Sequence, residues 1–405
     1  MYNNAIEGCE VCGNPSTTDV LNLGDHPMCD DLVKVSDERT CKEYPIVLTW
    51  CAICKTVHQK FQIPKMTLFP KTYHYRARHT RDVLDGMQQL ANSYRETVRE
   101  IDGATVLDIG CNDGSLLTIF SKMGLKTIGI EPTDAYLDAV EAGHIVFNDY
   151  FNDGLATKII QNHGFPNVIT FTNVFAHIEN LGDVLKALGR LINDNNILII
   201  ENHYLGSIID QNQFDTFYHE HPRSYSATSF FHIAERLDMN ILSINFPERY
   251  GGNIRVILSR KTNSNVMLSV PSEEDFFKNL SKMQDNILPW KKEKRNQIEH
   301  LVEKFGPLPA KAFPGRAAIL VKLLDLDVDL ISKVYEKPGS IKIGHYVPGT
   351  RIPIVSDSEI ELDSLNKGPL INFAWHISNE IQKYMRQLGY TGQVVDIFAP
   401  NEFQK

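Results

Sequence analysis

Residues Phe217 to Tyr225 read F-Y-H-E-H-P-R-S-Y, placing two imidazoles, a carboxylate, two phenols and a guanidinium within nine positions. Three kinds of chemistry suit that density: a metal site, a proton-transfer site, or a solvated polar loop. Spacing disfavours a metal. Adjacent residues of an extended segment point to opposite sides, and the H-E-x-x-H pattern that puts two histidines on one helix face is absent. Proton transfer suits the residue types, because an unperturbed imidazole titrates at about 6.5, close to neutrality.

Four of the seven cysteines form two C-x-x-C pairs, Cys9-Glu-Val-Cys12 and Cys51-Ala-Ile-Cys54, separated by 38 residues. Four thiolates are the tetrahedral set of a closed structural zinc site, with no position left for water. A redox C-x-x-C is the rival, but it is expected once, beside a βαβ unit. The pairs are therefore read as ligands of a structural Zn2+. Cys29 and Cys41 are read as small buried side chains.

A third constellation is T-V-L-D-I-G-C-N-D-G-S-L-L, Thr105 to Leu117, followed by T-I-G-I-E-P, which ends at Pro132. An apolar strand breaks at Gly110, passes through a polar turn and enters a helix; a second strand then ends on Glu131. In doubly wound sheets this order turns backbone N–H groups towards a ligand and lets the acid accept from ribose hydroxyls. The spacing is G-x-x-x-G, without the middle glycine that lets backbone approach a pyrophosphate. Cys111 and Asn112 stand in that region, so the loop suits an adenosyl cofactor without phosphates better than NAD. Asp108, Gly110, Asn112, Asp113, Gly114, Glu131, Pro132 and, further along the chain, Asn173 are the candidate cofactor residues. Asn173, His177, Glu201 and Tyr204 follow the ends of two further strands, read over Asn167 to Ile178 and Ile197 to Leu205, and ligands in open α/β sheets sit beyond such ends. His177 also has an ordinary reading as a satisfied helix-start or core histidine.

These groups need elements to position them. Val83, Met87, Leu90, Tyr94 and Val98 recur at helical spacing between Asp82 and about Glu100, a helix leading into a central domain. From Pro271 onward, S-E-E-D-F-F-K-N-L through E-K-F-G reads as a charged helix with a break at Pro289-Trp290. A-A-I-L-V-K-L-L, K-P-G-S-I-K-I-G-H-Y-V-P-G-T-R-I-P-I and the strand-like L-I-N-F-A-W follow. They read as a smaller α/β domain whose basic, glycine-bearing loop could hold phosphates.

At 405 residues the chain exceeds what one core serves, so two or three domains are expected. Its net charge of −9 argues against nucleic acid as a partner. No apolar run approaches the roughly 20 residues that span a bilayer, and the stretch from Met1 to Glu7 has neither the basic nor the apolar region of a secretion signal. The expectation is a cytoplasmic protein with reduced thiols and no membrane partner. A three-part chain of this size is expected to be self-sufficient as a monomer.

In this order the pieces resemble the sugar C-methyltransferases that use S-adenosylmethionine on nucleotide-linked ketohexoses. The resemblance runs nearly end to end: the zinc segment with L-N-L-G-D-H-P (Leu21 to Pro27), D-I-G-C-N-D-G, N-V-F-A-H, F-D-T-F-Y-H-E-H, Y-G-G-N-I-R-V (Tyr250 to Val256) and G-H-Y-V-P-G-T-R-I-P. It implies an N-terminal zinc-binding module over 1–72, a central Rossmann-like methyltransferase domain over 73–262, and a smaller C-terminal Rossmann-like α/β domain over 263–405 that helps bind the nucleotide sugar. One turn departs from the family, F-P-G-R-A at Phe313 to Ala317, where a G-Y-G-A-like sequence is usual.

The resemblance also implies roles. The family's acting groups map onto Tyr218, Glu220 and His221, with His177 and Tyr75 of Y-H-Y-R nearby. Methylation at carbon requires a carbanion, and a C–H beside a ketone yields one as an enolate. His221 is expected to remove the C3′ proton of a dTDP- or GDP-linked 4-keto-6-deoxy sugar. Glu220 would orient an imidazole or a sugar hydroxyl, and Tyr218, with His177 as a second candidate, would donate to the enolate oxygen. His219 is expected to face away or to touch substrate phosphate. Methylation of another carbon or of a hydroxyl oxygen remains open, as does a protein that holds a nucleotide sugar without turnover.

Overall fold

The computed structural model of the chain describes residues 5–73, 75–97, 103–261 and 268–403. His74, Val98, Glu100, the expected boundary at 262/263 and the side chain of Tyr250 lie outside the described residues.

Seven strands form the central sheet, in the order Asn240–Asn245, Asn253–Ser259, Ile197–His203, Val168–Thr172, Thr105–Ile109, Lys126–Ile130 and Ile145–Phe147. The last five run parallel, and the first two add antiparallel. Ile197 to Asn202 are buried without alternation, as expected of a strand covered by helices on both faces. The strand read over Asn167 to Ile178 is shorter than its apolar run. It stops at Thr172, Asn173 turns left-handed at φ 55°, and Phe175–His177 forms a single 3-10 turn. The next strand ends at His203, and Leu205 opens a helix. The helix expected from Asp82 occupies Arg81–Thr97 of the described residues.

A second sheet of four antiparallel strands contains Thr18–Pro27, Glu43–Trp50, Val57–Gln59 and Arg223–Ser224. Three strands come from the cysteine-bearing segment and the fourth from the histidine-rich stretch. Arg223 pairs with His58 and Ser224 with Val57, and the Gln59 N–H donates to the Pro222 carbonyl at 2.8 Å. The N-terminal module is thus stitched to the stretch that carries the titratable groups.

The third sheet is wholly parallel, in the order Ile354–Ser356, Ile331–Glu336, Leu308–Lys311, Leu370–Asn372 and Val394–Asp396. Winding proceeds to one side of Leu308–Lys311 and then returns to the other, so its switch point lies between Leu308–Lys311 and Leu370–Asn372. The helix Phe276–Phe305 leads into this domain and passes through Pro289 without the expected break. Pro289 and Asp285, whose carbonyl loses its amide partner, are both exposed to water. Met283, Ile287, Trp290 and Ile298 are buried along one stripe, and that packing outweighs the roughly 3 kcal/mol cost of an internal proline. A short ribbon of His345–Tyr346 with Val33–Lys34 ties the last domain to the first. Among the described residues no helix is long and apolar enough to cross a membrane.

Candidate active site

The two cysteine knuckles close in the same way. Gly13 (φ 77°) and Lys55 (φ 56°) are left-handed, and their N–H groups donate to the carbonyls of Cys9 and Cys51, each at 2.9 Å. The four Sγ atoms lie within 4.8 Å of one another. Zn–S bonds of about 2.3 Å place tetrahedral sulfurs roughly 3.8 Å apart, so the set fits one Zn2+. Thr56 Oγ1 lies 3.0 Å from Cys54 Sγ, and His58 Nε2 lies 3.3 Å from Cys9 Sγ, outer-shell partners of the kind that tune thiolate ligands. With all four positions filled by sulfur, the ion is structural.

The knuckles also hold their neighbours. Ser226 and Ser229 hydroxyls donate to the Cys54 carbonyl at 3.1 and 3.2 Å. Arg236 donates to the carbonyls of Glu10 and Val11 at 2.7 and 2.9 Å. Buried Arg223 pairs with Glu10. Burial opposes ionisation of Glu10, but the His58 hydrogen bond and the Arg223 charge hold it down at about 2.

At the first turn of the central sheet, Gly110 and Gly114 both have φ 75° and Asn112 has φ 50°. A Cβ at Gly110 would fall 2.6 Å from Val174 Cγ2, and one at Gly114 would fall 2.8 Å from His144 Cδ2, so glycine is required at both. Glu131 Oε1 accepts from the Thr133 N–H and hydroxyl at 2.9 and 2.6 Å, and Oε2 accepts from the Asn112 N–H at 2.9 Å. Burial raises its pKa. Asp108, beneath the turn, accepts from Thr170 Oγ1 at 2.6 Å and is raised by burial to about 7. Residues 75–78 cross the turn. The Ala77 N–H donates to Asn112 Oδ1 at 3.0 Å, the Arg78 N–H to Asp113 Oδ2 at 2.9 Å, and Asn112 Nδ2 to the Tyr75 carbonyl at 3.0 Å. Pro132 is half-buried beside Glu131. A glycine-lined turn facing a strand-end carboxylate has the chemistry that suits the adenosyl part of S-adenosylmethionine, whose ribose hydroxyls Glu131 would accept from.

Asn173 caps the next strand, and its Oδ1 accepts from Asn253 at 3.3 Å. Glu201 and Tyr204 are engaged inside the fold. Glu201 lies between Arg255 and Arg249 at 2.6 and 3.4 Å, and Tyr204 donates to Glu273 at 2.9 Å.

His177, Tyr218, Glu220 and His221 come together beyond these strand ends. The His221 ring lies 4.3 Å from Tyr218, 4.9 Å from His177 and 5.8 Å from His203. Its Nδ1 is 3.0 Å from the Thr216 carbonyl. A carbonyl only accepts, so Nδ1 carries the proton and Nε2 the lone pair. His177 Nδ1 donates likewise to the Glu220 carbonyl at 2.6 Å. Burial, reinforced by His177 and His203, pushes His221 well below the usual imidazole range. Burial also lowers His177. Glu220 is 6% exposed; burial and then nearby Asp30 push its carboxyl well above the usual range, and the Tyr73 hydroxyl donates to Oε2 at 3.3 Å. Burial and Glu220 keep the Tyr218 phenol protonated. At neutral pH the cluster therefore contains lone-pair imidazoles and a phenol donor, beside a carboxyl whose ionisation burial opposes.

Tyr75 is 41% exposed, and it is Tyr73, two positions earlier, that reaches Glu220. His219 faces away, with Nε2 3.1 Å from the Tyr44 carbonyl. Sequence reasoning missed Tyr73, Asp30 and His203. The alternation in T-Y-H-Y-R gives both tyrosines the same face, and only the fold distinguishes them. Among the described residues, the four cysteines are the one group whose possible metal-ligand atoms converge.

Three family models match in succession: a zinc binding domain over residues 9–69, a methyltransferase domain over 75–244, and a C-methyltransferase C-terminal domain over 248–397. The C-methyltransferase NovU of Streptomyces niveus is 25% identical over 260 residues, 62% of this chain and 60% of that protein. The ubiquinone biosynthesis O-methyltransferase of Azorhizobium caulinodans is 30% identical over 109 residues, 26% of this chain and 42% of that protein. The chain thus spans less than two thirds of the length of either relative. Among solved structures, the magnesium protoporphyrin IX methyltransferase of Synechocystis with bound SAH aligns at 15% identity and a TM-score of 0.35, covering 44% of this chain and 84% of that one. A protein from Pyrococcus horikoshii aligns at 13% identity and a TM-score of 0.36, covering 48% of this chain and 98% of that one. Zinc binding, methyltransferase and C-methyltransferase C-terminal models follow one another along residues 9–397, and on that succession the chain belongs to the S-adenosylmethionine-dependent C-methyltransferase family.

Proposed function

We propose that the chain methylates C3′ of a dTDP- or GDP-linked 4-keto-6-deoxy sugar, using S-adenosylmethionine and His221 as the base. One observation carries the reading: a buried, neutral imidazole, tied at Nδ1 to the Thr216 carbonyl, packs against a phenol donor beyond the ends of Val168–Thr172 and Ile197–His203, strands of the sheet that also carries the cofactor turn. The likeness to a protein named a C-methyltransferase supports the same chemistry.

S-adenosylmethionine supplies, when bound, an electrophilic methyl group on a sulfonium. The chain's own residues prepare the nucleophile. His221 Nε2 takes the C3′ proton, and the C–H electron pair moves into an enolate with its charge on the C4′ oxygen. The Tyr218 hydroxyl donates to that oxygen. His177 is less suited to this role than Tyr218, because its one N–H is engaged by the Glu220 carbonyl. The Glu220 carboxyl, whose ionisation burial opposes, can hydrogen-bond a sugar hydroxyl. C3′ then attacks the methyl carbon in line, the C–S bond breaks and the C4′ carbonyl re-forms. A positioned base contributes about 10²–10⁴-fold.

The test is incubation with nucleotide-linked 4-keto sugars in heavy water. The wild type is expected to incorporate solvent deuterium at C3′ and to release a methylated product. His221→Ala should lose both by about 10²–10⁴-fold while still binding S-adenosylmethionine. Methyl transfer without C3′ exchange would favour an O-methyltransferase. Neither event from folded protein would point to a sugar-binding protein.

A further inference from the structure

The segment Gln213–His221 lies within the central domain, yet its first residues are held by the C-terminal domain. Asp215 is 1% exposed, and its carboxylate accepts from Arg316 Nε at 2.8 Å, from Arg316 Nη2, and from Trp375 Nε1 at 2.8 Å. Both Nη atoms of Arg316 lie 3.2 Å from Gln213 Oε1, and its guanidinium lies 5.2 Å from the centre of the Trp375 ring. Phe214 sits among Trp290, Phe398 and Phe403, with ring centroids 5.2, 5.3 and 5.4 Å away.

The two donors occupy a special place in the third sheet. Arg316 follows Leu308–Lys311 and Trp375 follows Leu370–Asn372, the strands between which the winding reverses. Doubly wound sheets receive their ligands in that crevice. Here the group seated there is a carboxylate of the same chain, held by the two-point fork that suits Arg to carboxylates. The next residue, Thr216, offers the carbonyl that receives His221 Nδ1–H. Holding Asp215 therefore holds the carbonyl that sets the tautomer and tilt of the imidazole.

We infer that Asp215 is the built-in ligand of the C-terminal domain's switch point, and that Arg316, acting through it, is a positioning residue for His221. The catalytic part of this inference rests on the role proposed for His221; the structural part does not. It gives the divergent F-P-G-R-A turn a purpose, since the turn supplies the guanidinium. The Arg316 charge also adds to the burial and neighbouring imidazoles that lower His221.

The test uses the full-length zinc-loaded protein and the variants Arg316→Ala, Arg316→Lys and Trp375→Phe. In hydrogen–deuterium exchange, amides of 213–221 should open at least about tenfold faster in Arg316→Ala, with smaller increases in the other two. Peptides spanning the cysteine knuckles and the cofactor turn should keep wild-type rates. Unchanged exchange over 213–221 in every folded variant would overturn the inference, and the two milder variants carry the test if Arg316→Ala does not fold. In turnover, Arg316→Ala should lower kcat by about 10²-fold, hold the KM for the nucleotide sugar within about threefold, and move the acid limb of its pH profile upward. A KM rise above about tenfold with kcat intact would instead assign Arg316 to the substrate's diphosphate and overturn the positioning role. If the wild type turns over no keto sugar, the proposed function fails, and the exchange measurement still decides the inference.

Discussion

As the proposed base, His221 meets two demands that oppose each other. A base must be free of its proton at working pH, and it must still attract one from carbon. Burial and the adjacent His177 and His203 rings satisfy the first by lowering its pKa. The low dielectric around the cluster serves the second, because Tyr218 can stabilise an enolate there more strongly than in water. The sign of the shift fixes a pH profile. The neutral form persists as pH falls past about 6.5, the ordinary imidazole value, so kcat/KM should stay level from about pH 8 to 6.5 and decline only below that. Measuring kcat/KM against pH on a keto-sugar substrate checks this; an acid limb centred above 6.5 would contradict it. Y-H-E-H was legible as a titratable cluster from residue types alone. The choice of Tyr73 over Tyr75, and the presence of Asp30 beside Glu220, depend on contacts between distant segments.

Two elements position this chemistry, and each can be tested separately. At the cofactor turn, Gly110→Ala would place a methyl 2.6 Å from Val174 Cγ2 on a backbone with φ 75°. The expected cost is about 1–3 kcal/mol of stability, with S-adenosylmethionine affinity at least about tenfold weaker; thermal unfolding and calorimetric titration measure both. In the zinc module, removing the ion by chelation should release the strand Arg223–Ser224 from Val57–Gln59. Methyl transfer should fall in step with zinc content, while S-adenosylmethionine binding stays within about threefold, because the cofactor turn belongs to another sheet. Full activity in zinc-free protein would contradict that coupling. The C-x-x-C pairs and D-I-G-C-N-D-G were legible because their meaning lies in local spacing. The continuous helix through Pro289 was not, because the buried stripe that sustains it depends on what packs there. The strand ending at Thr172 was overread because its apolar run continues into a 3-10 turn.

At the scale of the molecule, three sheets share one set of junctions, and several of the junctions bury histidine. His26 and His219 are lowered to about 4, and His203 and His376 to about 3, in each case first by burial. The unfolded chain takes up protons at these groups near pH 6.5 and the folded chain does not, so stability falls as pH drops below about 6.5 and keeps falling to about 3. Asp108, raised to about 7, acts in the opposite sense as pH rises, as do Glu131, Asp210 and Glu220, while His144, His177 and His221, also lowered by burial, add to the four imidazoles. The melting temperature should drop by at least about 10 °C between pH 7 and pH 5; a flat profile in differential scanning calorimetry would contradict this. The order of the three domains was legible because each carries its own motif. Their interleaving was not. Arg223–Ser224 and His345–Tyr346 are two-residue strands, too short to show a pattern, and Asp215 and Arg316 meet only in the folded chain. A complex with S-adenosylhomocysteine and a nucleotide-linked 4-keto sugar would test the central claim most directly, through the distance from His221 Nε2 to C3′. The expected value is about 3–3.5 Å, with the sulfur on the line of methyl transfer. A His221 ring turned away from C3′, or separated from it by another side chain, would contradict the account.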